Sequence, residues 1–501
     1  MKFIDSILNR IAMYRLVVYG LASLAVAGIL LAAIGRISLN PVSMTASLTL
    51  LLGACYFTEQ QLSKIWQIPY NKDSWLITAL IMFLIIRPPH SVIQGLVIAT
   101  AGVIAISSKY LITWHGRHVF NPAALGAAYL SLGALQTTSW WVGNSTLWPL
   151  TLVIGLAIVR KIRRFPMVLT FVIVSMALQL VLIIHTHQSI HASMQNALIA
   201  SPLIFLSTIM LSDPATMPPR RTQQIVFASI VAILYITAWK VGELYIYPEV
   251  ALLIGTGFAF LISPKFKATL KLQEIHKISD QVYDFIFKPD KKFAFIPGQY
   301  MEWTLPDVAF DSRGNRRTFT IASSPTEDKV HLGVKFYNPS STFKYTMSKL
   351  KPGDPIFASQ LAGNFTLNNN EKNKLAFIAG GIGITPFRSM VKYITDKNIK
   401  CDITIIYIVS KPEELAYKEE FLAAKSIGVK LIPILSNGNQ KVPGMISANL
   451  SSNLIEQTIP DYESRIFYIS GPDAMVNSAK HLLRSMNLEI KNIKTDHFSG
   501  Y

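Results

Sequence analysis

Residues 375–386 read LAFIAGGIGITP, and this stretch decides the fold of the carboxyl-terminal half. The segment 374–381 predicts a β-strand and the segment 383–396 predicts an α-helix, so the three glycines fall at the turn between them. Glycine lets a backbone approach a phosphate closely, and a helix N-terminus offers free N–H groups and a positive dipole end. Pro386 suits the first helical turn. A turn that binds nothing remains the alternative interpretation.

The sequence on either side of this turn follows two patterns. From 374 to 501, predicted strands alternate with predicted helices, which indicates a parallel, doubly wound α/β sheet. From 270 to 367, short runs alternate apolar and polar residues between prolines and glycines, which indicates an antiparallel β-barrel. We therefore predict a β-barrel domain over 263–370 and an α/β nucleotide-binding domain over 371–501.

The amino-terminal half is a different kind of sequence. Of the 501 residues, 51% are hydrophobic and 15% are charged, and the mean hydropathy is +0.36; a soluble globular protein carries about 25% charged residues. Only six of the 29 acidic residues precede Lys271. The repeated apolar runs of this half are candidate membrane helices. Residues 1–262 are predicted to form a transmembrane domain of ten helices, over 16–35, 41–58, 74–87, 91–108, 121–136, 147–159, 166–184, 198–212, 223–239 and 244–262.

The basic residues orient these predicted spans. Up to Lys271, 16 Lys and Arg residues fall on one side of the ten spans, and three (Arg36, Arg87 and Lys240) fall on the other. Because loops rich in Lys and Arg stay in the cytoplasm, both termini are predicted to be cytoplasmic, in a multi-pass protein of the bacterial inner membrane surrounded by membrane lipid. The net charge of +18 is then mainly an orientation signal, and no nucleic-acid partner is predicted, since no clustered basic face carries a binding motif.

The cysteine content limits the redox chemistry. Cys55 and Cys401 are the two cysteines of the chain, whereas a ferredoxin-type iron–sulfur cluster needs four thiolates. Two cysteines also cannot form a Cys-rich zinc site or a disulfide framework. No metal site is predicted.

Four motifs follow one another in the carboxyl-terminal half: 297–300 (PGQY), 317–323 (RTFTIAS), 380–386 (GGIGITP) and 471–475 (GPDAM). In this order, over residues 270–501, they resemble the ferredoxin–NADP reductase superfamily. The family fold is an FAD-binding barrel followed by a nicotinamide-nucleotide domain. The resemblance therefore implies FAD and NAD(P)H as cofactors.

The resemblance also implies roles for single residues. It places Arg317 at the FAD pyrophosphate, Phe319 on the isoalloxazine and Thr320 near flavin N5. Ser470 stands where the family usually has Cys beside the nicotinamide, and Tyr501 is a candidate lid over the flavin, with a frayed tail as the alternative. Thr320, Ser470 and Tyr501 are thus the catalytic candidates. The other implied cofactor contacts are Ser323, Val334, Lys335, Thr342, Gly380, Gly381, Gly383, Thr385, Gly471 and Pro472.

The choice between NADH and NADPH is left open by the sequence. Ser410 and Lys411 follow the strand beside which the adenosine ribose is expected. A lysine suits the 2′-phosphate of NADPH and an acid suits NADH, but a single surface lysine is usually only solvated. NADH is slightly favoured.

Two segments of the membrane half carry a second resemblance. Segment 116–124 (GRHVFNPAA) opens the fifth predicted span with an Asn N-cap and a Pro at the first helical position, and 212–221 (SDPATMPPRR) closes the eighth on the same side. Each alone fits an ordinary loop cap. Together they resemble the membrane flavoprotein components of the sodium-pumping NADH:quinone reductase and of the Rnf complex, which implies a second flavin in the helical bundle. The residues implied to hold it are Arg117, Asn121, Asp213 and Thr216.

This second flavin is expected to bind without a covalent bond. The family attaches FMN to Thr in a motif that ends Ser-Gly-Ala-Thr, and this sequence contains no such motif. Thr216 in Asp-Pro-Ala-Thr lacks the glycine. FMN or riboflavin, held non-covalently, is therefore the expected second cofactor.

The leading hypothesis is a membrane flavoprotein oxidoreductase. NAD(P)H gives a hydride to FAD, and electrons pass through a membrane-domain flavin to a quinone or an extracytoplasmic acceptor such as a flavoprotein. One alternative is a quinone reductase tethered to the membrane and acting from the cytoplasmic side. Another is a flavin-binding or transport module with a regulatory reductase domain. The oligomeric state is unknown from the sequence.

Overall fold

A computed structural model describes most of the chain in two compact units, Met1–Lys265 and Phe266–Tyr501. The first unit is helical, and the second contains two β-sheets. The described residues are 8, 11–66, 72–114, 117–133, 135–136, 138–237, 240–241, 244–263, 267–305, 316–336, 341–367, 374–436 and 442–498.

The first unit consists of helices joined by short loops and two small strand pairs. The helices are α1 (Met13–Ala33), α2 (Pro41–Trp66), α3 (Lys72–Ile85), α4 (Val92–Leu111), α5 (Pro122–Leu132), α6 (Trp148–Ile162), α7 (Phe165–His185), α8 (Ile190–Ile199), α9 (Leu203–Phe205, continued as a π-helix over Leu206–Met210), α10 (Arg221–Thr237) and α11 (Pro248–Ile262). The strand pairs are β1 (Thr113–Trp114) with β2 (Arg117–His118) and β3 (Lys240–Val241) with β4 (Leu244–Tyr245).

Only some of these helices are long enough to cross a membrane. In the described residues, α1, α2, α4 and α7 are long and apolar enough, and α8 with α9, bent by 47°, makes a fifth candidate. Each of the ten predicted spans contains a helix, but the prediction of ten crossing helices is not reproduced. Hydropathy marks apolar segments and not their helical length. The segment predicted as 74–87, for example, is helical only to Ile85, because Pro88 and Pro89 follow and disfavour helix in the residues before them.

Helix α3 ends among buried residues and is capped there by a returning segment. Residues 79–86 are all buried, where free helix-end carbonyls would be costly. The Trp140 N–H donates to the Ile85 carbonyl at 2.9 Å, and the Trp141 indole Nε1 donates to the Phe83 carbonyl at 2.7 Å. The loop after α5 thus closes the end of α3.

The second unit begins with a six-stranded antiparallel sheet, which confirms the predicted antiparallel β-structure. Its strands are β5 (Lys267–Lys277), β6 (Val282–Pro289), β7 (Tyr300–Thr304), β8 (Arg316–Thr320), β9 (Val330–Lys335) and β10 (Pro355–Ala362). Their order is β8-β7-β10-β5-β6-β9. A short helix, α12 (Thr342–Met347), follows β9, and Phe287, Trp303 and Phe343 are buried in the core of this sheet.

A six-stranded parallel sheet completes the unit and confirms the predicted α/β pattern. Its strands are β11 (Leu375–Gly380), β12 (Ile403–Val409), β13 (Val429–Leu435), β14 (Ile446–Ser447), β15 (Ile466–Pro472) and β16 (Ile493–Phe498). The helices that accompany them are α13 (Thr385–Asp396), α14 (Lys418–Ala423), α15 (Ser452–Thr458) and α16 (Asp473–Ser485). One core, with Phe377 and Phe387, covers one sheet face, and another, with Ile378 and Ile469, covers the opposite face.

The strand order of the parallel sheet contains one switch point. In the order β14-β13-β12-β11-β15-β16, the chain proceeds from β11 toward β14 and then returns to the other side of β11 with β15. Open α/β sheets bind ligands outside the carboxyl ends of their strands at such a point. The candidate site therefore lies where β11 and β15 end.

Candidate functional site

The glycine-rich turn lies at the carboxyl end of β11. A Cβ on Gly383 would lie 2.4 Å from the Ser470 carbonyl oxygen, so the neighbouring strand requires glycine there. Gly380 is similarly close to Met475, at 2.5 Å. Gly381 differs: its φ is +52°, and a Cβ there would meet no atom of the described residues within 4 Å. The backbone at Gly381 thus faces open space, as a phosphate cradle requires.

Helix α13 starts directly after this turn. Pro386 is among its first residues, and its first turn contains no acidic side chain. Thr385 is buried and its Oγ1 donates to the Ile382 carbonyl at 3.2 Å, which fastens the helix start to the turn. Residues 381–384 form a 3-10 helix that runs into α13, and the Thr385 N–H donates to the Ile382 carbonyl. The positive dipole end of α13 therefore lies at the glycine-rich turn, where an anion is favoured.

Ser470 lies at the end of β15 with an unsatisfied hydroxyl. It is fully buried, and its Oγ has no hydrogen-bond partner among the described residues. Strand alternation puts Ser470 on the same sheet face as Tyr468, which packs against Phe377. A buried hydroxyl without a partner costs about 1–3 kcal/mol, so a bound group that supplies the partner is favoured here.

Beyond Ser470, strand β16 adds polar groups to the same edge. Its register pairs Asp496 with Ser470 and His497 with Gly471. The His497 Nδ1 lies 2.9 Å from a carboxylate oxygen of Asp473, the first residue of α16. Gly471 and the adjacent Pro472 therefore lie between this pair and the glycine-rich turn. The predicted lid Tyr501 lies outside the described residues.

Strand β8 carries the predicted flavin-binding side chains. The Arg317 guanidinium lies 5.2 Å from the centre of the Phe343 ring, and the Phe319 ring lies 6.0 Å from the same ring. Arg317 and Phe319 thus share one face of the strand, as residues two positions apart in a β-strand do. Thr320 is buried at the end of β8, and Thr342 is half-buried at the start of α12.

The side chains of three other predicted cofactor-binding residues contact groups of the protein itself. Val334 is 1% exposed and lies in the barrel core, so its side chain is not presented to a cofactor. A cofactor contact at Val334 stays a prediction, and it would use the backbone of this strand residue. Lys335 forms an ion pair with Glu414 at 2.7 Å. The Ser323 hydroxyl accepts a hydrogen bond from the His331 N–H at 3.1 Å.

Sequence inspection missed a buried charge next to these residues. Arg388, in α13, donates to both carboxylate oxygens of Glu327 at 2.8 and 3.1 Å and to the Ala322 carbonyl at 3.0 Å. Its guanidinium also lies 5.1 Å from the Tyr417 ring centre. Burial lowers the pKa of Arg388, but the hydrogen bond and charge of Glu327 outweigh it, so the net pKa is raised. The available signal was a charged residue on the otherwise apolar face of α13.

A second buried pair adjoins Arg388. The Tyr417 hydroxyl donates to Asp284 at 2.9 Å, and the His331 Nδ1 lies 2.8 Å from the other oxygen of that carboxylate. Burial raises the pKa of Tyr417 well above its ordinary value, and the neighbouring Asp284 charge raises it further. Tyr417 is therefore a neutral donor that joins α14's start to strand β6.

In the first unit, the structure brings together three of the four predicted flavin contacts. Asn121 caps α5 by accepting from the Ala124 N–H at 3.1 Å, and its Nδ2 donates to Asp213 at 3.4 Å. The Thr216 hydroxyl donates to the same carboxylate oxygen at 3.2 Å. Asn121 and Thr216 are buried. Arg117 belongs to β2, and its side chain lies outside the described part of the chain.

The residues of the second unit fit the two cofactors that the sequence implies. The open turn at Gly381 and the start of α13 fit a nucleotide pyrophosphate, and the Ser470 hydroxyl offers a hydrogen bond to a group at the switch point. A guanidinium and an aromatic ring on β8 match a second pyrophosphate and a planar ring system. The arrangement can hold a two-electron donor and a planar acceptor at adjoining sites.

Comparison with known proteins agrees with this geometry for the second unit. Residues 377–481 match a family described as an oxidoreductase NAD-binding domain. The chain is 23% identical over 242 residues to a flavohemoprotein of Oceanobacillus iheyensis, which covers 46% of this chain and 58% of that protein. It is 25% identical over 231 residues to the glycine betaine monooxygenase reductase subunit of Pseudomonas aeruginosa, covering 44% of this chain and 62% of that protein. The chain thus matches less than two thirds of the length of either relative.

Two solved structures are similar to the same part of the chain. The flavohem-like FAD/NAD-binding domain of nitric oxide dioxygenase from Vibrio cholerae has a TM-score of 0.41 and 19% identity, and covers 46% of this chain and 98% of that one. A ferredoxin NADP+ reductase from Neisseria gonorrhoeae has a TM-score of 0.41 and 18% identity, and covers 47% and 99%. The second unit, an antiparallel sheet followed by a parallel sheet, thus contains the segment that matches an oxidoreductase NAD-binding domain.

Proposed function

We propose that the protein is a membrane flavoprotein that oxidises cytoplasmic NAD(P)H with FAD. The observation that carries this proposal is the open glycine turn at Gly381, which lies at the switch point of the parallel sheet, where such sheets bind ligands. The match to an oxidoreductase NAD-binding domain over residues 377–481 supports it. The flavohemoprotein among its relatives supports, by its name, a flavin as the acceptor.

The residues of the site divide the work between the two cofactors. Bound FAD supplies the redox chemistry, since it accepts a hydride with both electrons from C4 of the reduced nicotinamide and releases electrons singly. Arg317 neutralises the FAD pyrophosphate, and Phe319 packs against the flavin ring. Thr320 offers its hydroxyl near flavin N5. Thr342, at the start of α12, adds a contact to the FAD diphosphate.

The nucleotide is held by the parallel sheet. Gly380, Gly381, Gly383 and the N-terminus of α13 cradle its phosphates, and Thr385 fixes the turn. Ser470 donates to the nicotinamide carboxamide, while Gly471 and Pro472 keep the end of β15 close to β11. NADH is the favoured donor, although the exposed Lys411 after β12 leaves NADPH as an outcome of the test.

We further propose that the first unit carries electrons away from FAD. The cluster of Asn121, Asp213 and Thr216, with Arg117 beside it in sequence, supports a second, non-covalent flavin, FMN or riboflavin. The helices of crossing length support membrane association. The asymmetry of the Lys and Arg residues supports the proposed multi-pass location in the bacterial inner membrane with both termini cytoplasmic. The proposed acceptor is a quinone or an extracytoplasmic partner such as a flavoprotein. The resemblance to the membrane flavoproteins of the sodium-pumping reductase and the Rnf complex supports this path.

Flavin content of the detergent-purified chain tests both proposals. We expect FAD plus a second flavin, both released when the protein is precipitated with acid. FAD alone would reduce the first unit to a membrane tether. Flavin retained in the precipitate would contradict non-covalent binding, and Thr216→Ala would then show whether that threonine is the attachment point.

A further inference from the structure

Helix α13 makes two sets of contacts with different parts of the proposed site. Its N-terminus follows the glycine-rich turn that faces the nucleotide. One turn further, Arg388 donates to the Ala322 carbonyl at 3.0 Å, and the Ser389 hydroxyl donates to the Ser323 carbonyl at 2.6 Å. Ala322 and Ser323 belong to the short segment that directly follows the flavin strand β8. The same helix therefore contacts both the glycine-rich turn and the segment that follows β8.

The guanidinium of Arg388 is held in one orientation. Both of its terminal nitrogens donate to Glu327, at 2.8 and 3.1 Å, and the residue is only 4% exposed. Glu327 also accepts from the Ser324 N–H at 2.7 Å, so it belongs to the flavin-side segment. A planar fork bound to a carboxylate in this way has little freedom.

The barrel also meets α13 by close backbone packing. A Cβ on Gly333, in β9, would lie 2.7 Å from the Thr385 Cγ2 and 2.8 Å from the Tyr417 hydroxyl. The first residue of α13 is thus pressed against the barrel at Gly333, and Arg388 fastens it again at Ala322. Because these two contacts are separated along the helix, they fix both the distance of α13 from the barrel and its rotation about its own axis.

We propose that Arg388 is a positioning residue for hydride transfer. It joins the segment 322–327 to α13, and so it sets how the nicotinamide approaches the flavin ring. This inference rests on the proposed function of the second unit. Hydride transfer requires near-contact of donor and acceptor atoms, and a misplacement of about 1 Å can cost about 10²-fold in rate.

Arg388→Lys in the full-length, flavin-loaded chain is the test. Lysine keeps the positive charge but loses the fork that binds Glu327 and Ala322 together. We expect the limiting rate of anaerobic flavin reduction by NADH to fall about 10- to 100-fold, with less than about a threefold change in the NADH concentration for half-maximal rate. The kinetic isotope effect with C4-deuterated NADH should rise, because the chemical step becomes slower.

Two readouts separate positioning from general damage. Dithionite reduces flavin without the nucleotide site, so its rate should be unchanged in the variant. The visible circular dichroism of the bound flavin should change, since that signal depends on how the protein holds the ring.

Arg465→Lys is the matched control. Arg465 is 7% exposed and also binds two carboxylates and a main-chain carbonyl, Asp461, Asp402 and Leu375 O. It precedes β15 and contacts the amino end of β11, at the opposite sheet edge from the site. We expect this variant to lose thermal stability and to keep the wild-type limiting rate.

The outcomes are distinct. A wild-type limiting rate in Arg388→Lys with full FAD content would overturn the inference, as would an equal rate loss in Arg465→Lys. If Arg388→Lys does not fold, Glu327→Gln is measured instead, because it removes the carboxylate that orients the Arg388 guanidinium; a wild-type rate would again overturn the inference. A wild-type chain that holds no FAD, or whose FAD is not reduced by NADH or NADPH, would instead refute the proposed function.

Discussion

Gly381 and Gly383 are close neighbours in the turn but are glycines for different physical reasons. Gly383 is required by the Ser470 carbonyl, 2.4 Å from its would-be Cβ, whereas Gly381 has space and a left-handed φ of +52°. The motif in the sequence predicted the turn, and a single sequence cannot separate these two reasons. The buried Arg388 was not predicted at all, because its partners Glu327 and Ala322 are about 60 residues away in sequence.

Gly381→Ala should weaken nucleotide binding in addition to lowering the stability of the folded chain. Alanine at a left-handed φ costs roughly 1–2 kcal/mol. At Gly381 the added methyl also enters the space assigned to the phosphates, so we expect the NADH concentration for half-maximal flavin reduction to rise at least about tenfold, the effect of 1.4 kcal/mol.

Gly444→Ala is the control for this substitution. Gly444 has φ of +78°, and in the described part of the chain no atom lies within 4 Å of the position of an added Cβ, as at Gly381. It should lose similar stability while NADH binding stays at the wild-type value. Equal losses of NADH binding in both variants would contradict the placement of the phosphates at Gly381.

Asp461 should link the stability of the second unit to acid pH. Hydrogen bonds from Arg465 and Lys374 lower the pKa of Asp461 from 3.8 to about 2. The folded state therefore favours the carboxylate, and this stabilisation is complete above pH 3.8 and is lost as the pH falls toward 2. Asp461→Asn should lower the melting temperature at neutral pH, and the difference from wild type should shrink on acidification. A difference in melting temperature between the variant and the wild type that stays constant down to about pH 2 would rule out this linkage.

At the scale of elements, the apolar segments of the first half were located correctly but their lengths were not. Hydropathy identified a helix in each predicted span but not where the helix ends. Helix α3 ends before Pro88 and Pro89, and residues 139–142 then hydrogen-bond to the carbonyls of its last turn. No local signal in the sequence tells that Trp141 caps a helix more than 50 residues upstream. The β-strands of the second unit were predictable because the alternation of apolar and polar residues, and the prolines and glycines between the runs, can be seen locally in the sequence.

Trp141→Phe should destabilise the first unit. Phenylalanine cannot donate to the Phe83 carbonyl, which Trp141 reaches at 2.7 Å in a buried position, and a buried carbonyl left without its partner costs about 1–3 kcal/mol. Thermal unfolding in detergent measures the loss. Reduction of the bound FAD by NADH should be unchanged, because Trp141 belongs to the first unit.

Trp148→Phe provides the comparison for Trp141. The Trp148 indole donates to the Leu198 carbonyl at 2.9 Å, but Trp148 is only half-buried, so water can replace the lost donor. We expect a smaller loss of stability than for Trp141. An equal or larger loss would show that the cap of α3 is not what stabilises this region.

At the scale of the molecule, the two units were predicted with unequal detail. Composition and charge separated an apolar half from a mixed half, and four ordered motifs identified the reductase-like domain that the family match supports. The first unit has its Asn121–Asp213–Thr216 cluster, but a flavin site there and its acceptor remain proposals. Hydrogen bonds among three side chains show proximity and do not identify the group they would bind.

Anaerobic addition of NADH to the purified, flavin-loaded chain tests the central claim most directly. The absorbance of oxidised FAD should be lost on mixing, with one NADH consumed per flavin reduced and therefore two per chain that holds both proposed flavins. If neither NADH nor NADPH bleaches this absorbance, while dithionite does, the second unit does not take hydride from a nicotinamide nucleotide and the account is wrong.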